Sequence, residues 1–165
     1  MWAIIKFDKK KLNLLLEDFN KKFGEDCKVY IPKLKLQKYK NNKIINKEIY
    51  LLGDYMFCFH NSFDKSEVVS ANQNLRGLKY FLLGFKESQK EITDFIKKCK
   101  SYENEKGFLL QNFYDLVLNK SYQFFSGPFT NKIFKIVEIQ KNKINILMGN
   151  LRTTVKKENS FFRPI

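Results

Sequence analysis

Between Tyr122 and Arg163 the chain breaks into short β-prone runs, each stopped within a few residues by turn formers. The runs are residues 122–125, 133–139, 143–148, 151–155 and 161–163. Turn signals separate them at Gly127-Pro128, Lys141-Asn142, Gly149-Asn150 and Glu158-Asn159. None of these runs is long enough for a stable helix, and closely spaced short strands must close on one another to cover their edges. The spacing predicts a small SH3-like barrel. Its first turn lies inside FFSGPFTNKIFKIV, residues 124–137, where a Gly-Pro pair is flanked by aromatic residues on both sides.

The first hundred residues follow a different rule. Trp2 to Phe7 reads as a strand, and Asp8 is placed to cap a helix in which Leu12, Leu15, Leu16, Phe19 and Phe23 recur at helical spacing until Gly24. Val29 to Leu36 reads as a second strand, bent at Pro32. Ile49 to Phe59 is the most apolar strand, with Leu52, Met56 and Cys58 on the face opposite Leu51, Tyr55 and Phe57. A strand apolar on both faces needs cover on both. Residues 64–74 suggest a short helix and Leu78 to Leu83 a further strand. Ser88 and Glu91 form a capping box ahead of an amphipathic helix carrying Ile92, Phe95, Ile96 and Cys99.

The expected fold class is therefore α+β: an N-terminal antiparallel sheet flanked by helices, then a linker, then the barrel. The polar stretch SYENEKGFL supplies the linker. The expected boundaries are 1–100 for the first domain, 101–113 for the linker and 114–165 for the barrel.

Charge narrows the partners. The formal net charge is +14, and Cys27 to Lys47 holds seven lysines and no acid. Such a field favours polyanions. The only arginines are Arg76, Arg152 and Arg163, a lysine bias that also fits an AT-rich genome. Cys27, Cys58 and Cys99 lie far apart, with neither zinc-ligand spacing nor an even count for a disulfide framework. No apolar run approaches the length of a membrane span. The start MWAIIKFDKKK lacks a secretory pattern, so a cytoplasmic protein is expected.

Four landmarks in order resemble the NusG family of transcription elongation factors, over nearly the whole chain. Trp2 sits where that family's first strand begins with Trp-Tyr. Leu51-Leu52-Gly53-Asp54-Tyr55-Met56-Phe57 is similar to its Leu-Phe-Pro-Gly-Tyr-x-Phe strand. Arg76-Gly77 before Leu78 resembles the Arg-Gly-Val of specialised members such as RfaH, and Gly127-Pro128-Phe129 resembles the start of the KOW motif. The departures are Gly53-Asp54 for Pro-Gly, and Asn131 and Phe134 where the KOW motif has later glycines. Asparagine tolerates the left-handed conformation that a turn glycine supplies; phenylalanine does so only at a cost. Such drift resembles an RfaH-like specialised paralogue.

The resemblance implies a monomeric bacterial elongation or antitermination factor. Its N-terminal domain would bind the clamp helices of the largest RNA polymerase subunit through Tyr55 and Phe57, suppressing pausing or termination. Arg76 would contact exposed non-template DNA, and Lys33, Lys35 and Lys38 upstream DNA phosphates. The KOW domain would recruit a small-subunit ribosomal protein or Rho around Gly127, Pro128, Phe129 and Ile133. The gate-loop contact of specialised members falls on Val68-Val69-Ser70 here, which does not match the family's His-Thr-Thr type motif.

Each assignment has a plainer counterpart: Tyr55 and Phe57 as core residues, Arg76 as a surface arginine, the lysines as a solvated strand edge. The competing functional reading is an RNA-binding or ribosome-associated KOW protein, which needs no apolar polymerase-facing patch. Catalysis, metals and cofactors are not expected. His60 stands without a triad pattern, and no phosphate-binding glycine loop occurs.

Overall fold

The structure, a computed structural model, describes residues 1–40, 43–110, 113, 115–157 and 162–165; the side chains of 36–40, 43, 44 and 46 are outside that description. The strands are β1 (Trp2–Phe7), β2 (Lys28–Tyr30), β3 (Lys33–Lys40), β4 (Lys43–Tyr50), β5 (Tyr55–Phe59), β6 (Leu78–Phe81), β7 (Ser121–Phe124), β8 (Ile133–Ile139), β9 (Lys143–Met148), β10 (Leu151–Lys156) and β11 (Phe162–Pro164). The helices are α1 (Leu12–Phe23), α2 (Ser66–Ala71) and α3 (Gln89–Ser101). The fold is α+β. Two compact units are present: residues 1–32 with 50–101, and residues 33–49 with 102–165.

In the first unit an antiparallel sheet runs β2-β5-β1-β6. Period-two alternation sends Ala3, Ile5 and Phe7 to one face, where they join Met56, Cys58, Leu15, Phe19 and Phe63 in a closed core. The helix expected after Asp8 begins one turn late. Asp8 caps a short 3-10 turn, Lys9–Lys11, its carboxylate accepting the Lys10 N–H at 3.0 Å, and α1 follows. Gly24 at φ +69° ends it.

Two expected strands are each divided. Val29 to Leu36 splits around Ile31 and Pro32, since proline donates nothing to a ladder. Ile49 to Phe59 splits at a turn over residues 51–54, in which Gly53 takes φ +64° and donates its N–H to Tyr50 O at 3.1 Å. The remainder, β5, lies between β2 and β1. Its central residues Met56, Phe57 and Cys58 are all buried, which accounts for apolar side chains on both faces.

In the second unit β3 and β4 form a two-stranded ribbon. The stretch expected as a linker pairs with its base: Leu109 is buried and donates its N–H to Lys33 O at 2.8 Å. The other sheet is antiparallel in the order β10-β9-β8-β7-β11. Tyr122, Phe124, Phe134, Ile136, Ile144, Ile146, Val155 and Phe162 fill its core. The Phe134 ring lies 4.3 Å from Phe124 and 5.4 Å, edge-on, from Phe162. Such pairs add to the burial of large apolar area.

Candidate docking surface

The second face of the β2-β5-β1-β6 sheet carries Trp2, Ile4 and Lys6 from β1, and α3 covers part of it. Gln89 clamps the Trp2 backbone, accepting its N–H at 2.9 Å and donating to its carbonyl at 2.6 Å. The Phe95 ring lies 5.7 Å from Phe57, and the Tyr30 ring stacks on Phe57 at 6.2 Å. Phe57 is consequently only 3% exposed. Although Phe57 shares a strand face with Tyr55, it presents almost no surface of its own.

Tyr55 lies where that cover stops. Lys6 is in direct register with Tyr55 on β5 and with Tyr80 on β6. The two phenol oxygens are 3.0 Å apart across the intervening strand, and the Lys6 ammonium lies 5.3 Å and 5.7 Å from the two ring centroids. The hydrogen bond to Tyr80 raises the Tyr55 pKa above its ordinary value. The tyrosine oxygens, Tyr55 first, raise that of Lys6. Tyr80 is 42% exposed and Leu83, beyond β6, is 93% exposed. Lys6 and Tyr80 were not singled out from the sequence. The parity of Trp2, Ile4 and Lys6 is the signal, and it becomes informative only when β1 is known to pair with both β5 and β6.

Arg76 is tied down. Its Nε lies 3.1 Å from each oxygen of Asp18, its backbone N–H donates to the same carboxylate at 3.0 Å, and Glu17 stands 3.6 Å from the guanidinium. The Asp18 carboxyl titrates at about 2, held down chiefly by the hydrogen bonds from Arg76. The next residue, Gly77, takes φ +85°, and its carbonyl accepts the Asp8 N–H at 2.8 Å.

The β3 lysines do not share one environment. Lys33 is half-buried at the strand start, Lys35 is exposed with its ammonium 6.0 Å from the Phe108 ring, and the Lys38 side chain lies outside the described residues.

Around Gly127, Pro128 and Phe129 the β7–β8 turn is closed by its own backbone. Gly127 takes φ +84°, and its carbonyl accepts the Thr130 hydroxyl at 2.6 Å. Asn131 takes φ +68° and donates its N–H to Phe124 O at 2.8 Å. Phe134 occupies a buried strand position instead of a turn. Phe129 packs against the barrel core, 5.6 Å from Phe124, whereas Ile133 is 57% exposed.

His60 has a structural place. Its Nδ1 accepts the Ser62 N–H at 3.2 Å, capping the turn Asn61–Asp64, and its ring lies 4.9 Å from Phe23. Among the described residues Cys27, Cys58 and Cys99 take part in no disulfide. Among the described residues, no group of three His, Cys, Asp or Glu side chains is arranged to hold a metal ion, and no helix is long and apolar enough to cross a membrane.

No family model and no curated protein matches this chain. Solved structures similar to it include a crystal structure of the MjSpt4:Spt5 complex, at 11% identity and TM-score 0.30, covering 100% of this chain and 98% of that one. A structure describing domain interaction in Thermotoga maritima NusG is 14% identical with TM-score 0.34, covering 95% and 94%.

Proposed function

We propose that the chain is a transcription elongation or antitermination factor of specialised, RfaH-like type. Its N-terminal region docks on the clamp helices of RNA polymerase, and its barrel recruits a second partner, a small-subunit ribosomal protein or Rho. The observation that carries this reading is the sequence order itself: Trp2, the Leu51-to-Phe57 segment, Arg76-Gly77 and Gly127-Pro128-Phe129 follow one another as in the NusG family.

The sheet face around Tyr55 supports it physically. A half-buried aromatic with Tyr80 hydrogen-bonded to it is the kind of anchor that dominates interface energy. Tyr55 is the anchor and Phe57 the buried residue behind it. In the barrel, Ile133 offers partner-facing surface while Phe129 steadies the turn from within. Lys33, Lys35 and Lys38 would follow DNA phosphates, with affinity falling steeply as salt rises. Arg76 would join them only by exchanging the Asp18 carboxylate for a phosphate.

Purified protein should bind core RNA polymerase, and Tyr55→Ala should weaken that binding by about tenfold or more, as expected for a hot-spot aromatic. Its circular dichroism should stay that of the folded protein. Tight RNA binding without polymerase binding in the wild type would overturn the reading.

A further inference from the structure

The row Tyr55, Lys6, Tyr80 has a composition that a purely apolar docking surface does not require. Lys6 takes part in no ion pair among the described residues. The acids next to the row in sequence are otherwise engaged: Asp54, before Tyr55, pairs with Lys9 at 3.2 Å, and Asp8 caps the turn that follows β1. Around the ammonium stand two phenols that share one hydrogen bond, which leaves one hydroxyl proton pointing elsewhere. Half-buried Ile4 lies on the same face, and exposed Leu82 stands beside it, donating its N–H to Ile4 O at 2.8 Å.

We propose that this row is a carboxylate-binding subsite, taking a glutamate or aspartate side chain of a partner protein whose apolar neighbours rest on Tyr55, Tyr80 and Leu82. The inference rests on the polymerase-docking reading for the identity of the partner, though not for the chemistry of the subsite. Three features favour a carboxylate on a protein over a nucleic-acid phosphate. Within the row the positive charge is the one ammonium of Lys6, not a stripe that could follow a backbone. The bonded phenol pair leaves one hydroxyl donor beside the ammonium. Ile4 and Leu82 border the row, which suits an apolar peptide surface. A carboxylate here would gain charge-assisted hydrogen bonds from Lys6 and a tyrosine hydroxyl. A lysine ammonium is already charged throughout the physiological range, and the tyrosine oxygens raise the Lys6 pKa further.

The test is an NMR titration of the full chain, following the Tyr55 and Tyr80 ring resonances. Three probes are used: a blocked leucine–glutamate peptide, its leucine–glutamine counterpart and a single-stranded DNA oligomer. The glutamate peptide should shift both rings, the glutamine peptide at least tenfold more weakly, and Lys6→Met should abolish the difference. Tyr80→Phe, which keeps the ring and removes one hydroxyl, should weaken glutamate binding partially. Equal response to both peptides, or a stronger response to DNA, overturns the subsite. A parallel pull-down with core RNA polymerase separates the two proposals. Binding that survives Lys6→Met unchanged leaves docking standing and removes the subsite from it. Wild-type protein that ignores polymerase yet prefers the glutamate peptide removes the docking reading and keeps the subsite.

Discussion

The Asp18 carboxylate on α1 accepts from both the backbone N–H and the guanidinium of Arg76, fifty-eight residues further along the chain. One acidic side chain thus fixes the approach to β6 and occupies the fork of the arginine. Planar, bidentate pairing of this kind is stronger than a single exposed ion pair.

Asp18 should therefore titrate at about 2 and not near its usual 3.8. A depressed carboxylate pKa adds stability above the unfolded value, and that contribution disappears as pH falls through the folded one. The wild type should lose part of its acid stability between about pH 4 and pH 2. In Arg76→Ala the NMR midpoint of Asp18 should return toward the ordinary range and the acid transition should shift upward. If Arg76 also serves nucleic acid, Asp18→Asn should tighten single-stranded DNA binding at low salt.

Gly77 follows the arginine at φ +85°. A Cβ placed there would stand 2.8 Å from Lys11 Cβ and 2.9 Å from the Lys11 carbonyl oxygen. Backbone cannot swing aside as a side chain can. Gly77→Ala should cost more than the roughly 1–2 kcal/mol of left-handed strain alone. Gly24→Ala is the control: it has positive φ with open space around it, so only the strain remains. Thermal or urea midpoints of the two variants, measured together, check the difference.

In the barrel, Asn131 and Phe134 have taken over two positions in opposite ways. Asn131 keeps the turn torsion at φ +68°, so Asn131→Gly should be tolerated, whereas Asn131→Val should destabilise by about 1–2 kcal/mol. Phe134 is a core ring, and Phe134→Ala should cost about 3–5 kcal/mol. Urea titration followed by near-ultraviolet circular dichroism of the barrel aromatics measures both.

Burial raises the Cys27 thiol pKa to about 11. The thiolate is the reactive form, so alkylation of native Cys27 by iodoacetamide at pH 8 should be far slower than for a free thiol. The rate should climb until about pH 11. Mass spectrometry of the labelled native protein gives the rate, and fast labelling at pH 8 would show that the site is not desolvated.

The barrel strands were readable in the sequence because each runs between turn formers, and β7, β8 and β9 begin with inside–outside alternation. β8 and β9 occupy the expected residues. The two divided strands were harder. An apolar run such as Leu51-Leu52 looks continuous with its neighbours, and only the positive φ of Gly53 shows that the chain turns there. The sequence left open whether Phe57 is a core or a docking residue for another reason. Alternation puts it on the same face as Tyr55, but whether that face is open depends on where α3 docks, and Phe95 is thirty-eight residues away. The Arg76–Asp18 pair is equally long-range, since nothing local marks which arginine a helix carboxylate will hold.

Trp2 is the sole tryptophan of the chain and sits edge-on to Phe59 at 5.4 Å, with its backbone clamped by Gln89. Among the described residues the barrel core holds phenylalanine rings and Tyr122 as its aromatic chromophores. The molecule therefore carries an optical division of labour. Emission excited at the red edge of the absorption band comes from Trp2 alone and reports on the β2-β5-β1-β6 sheet.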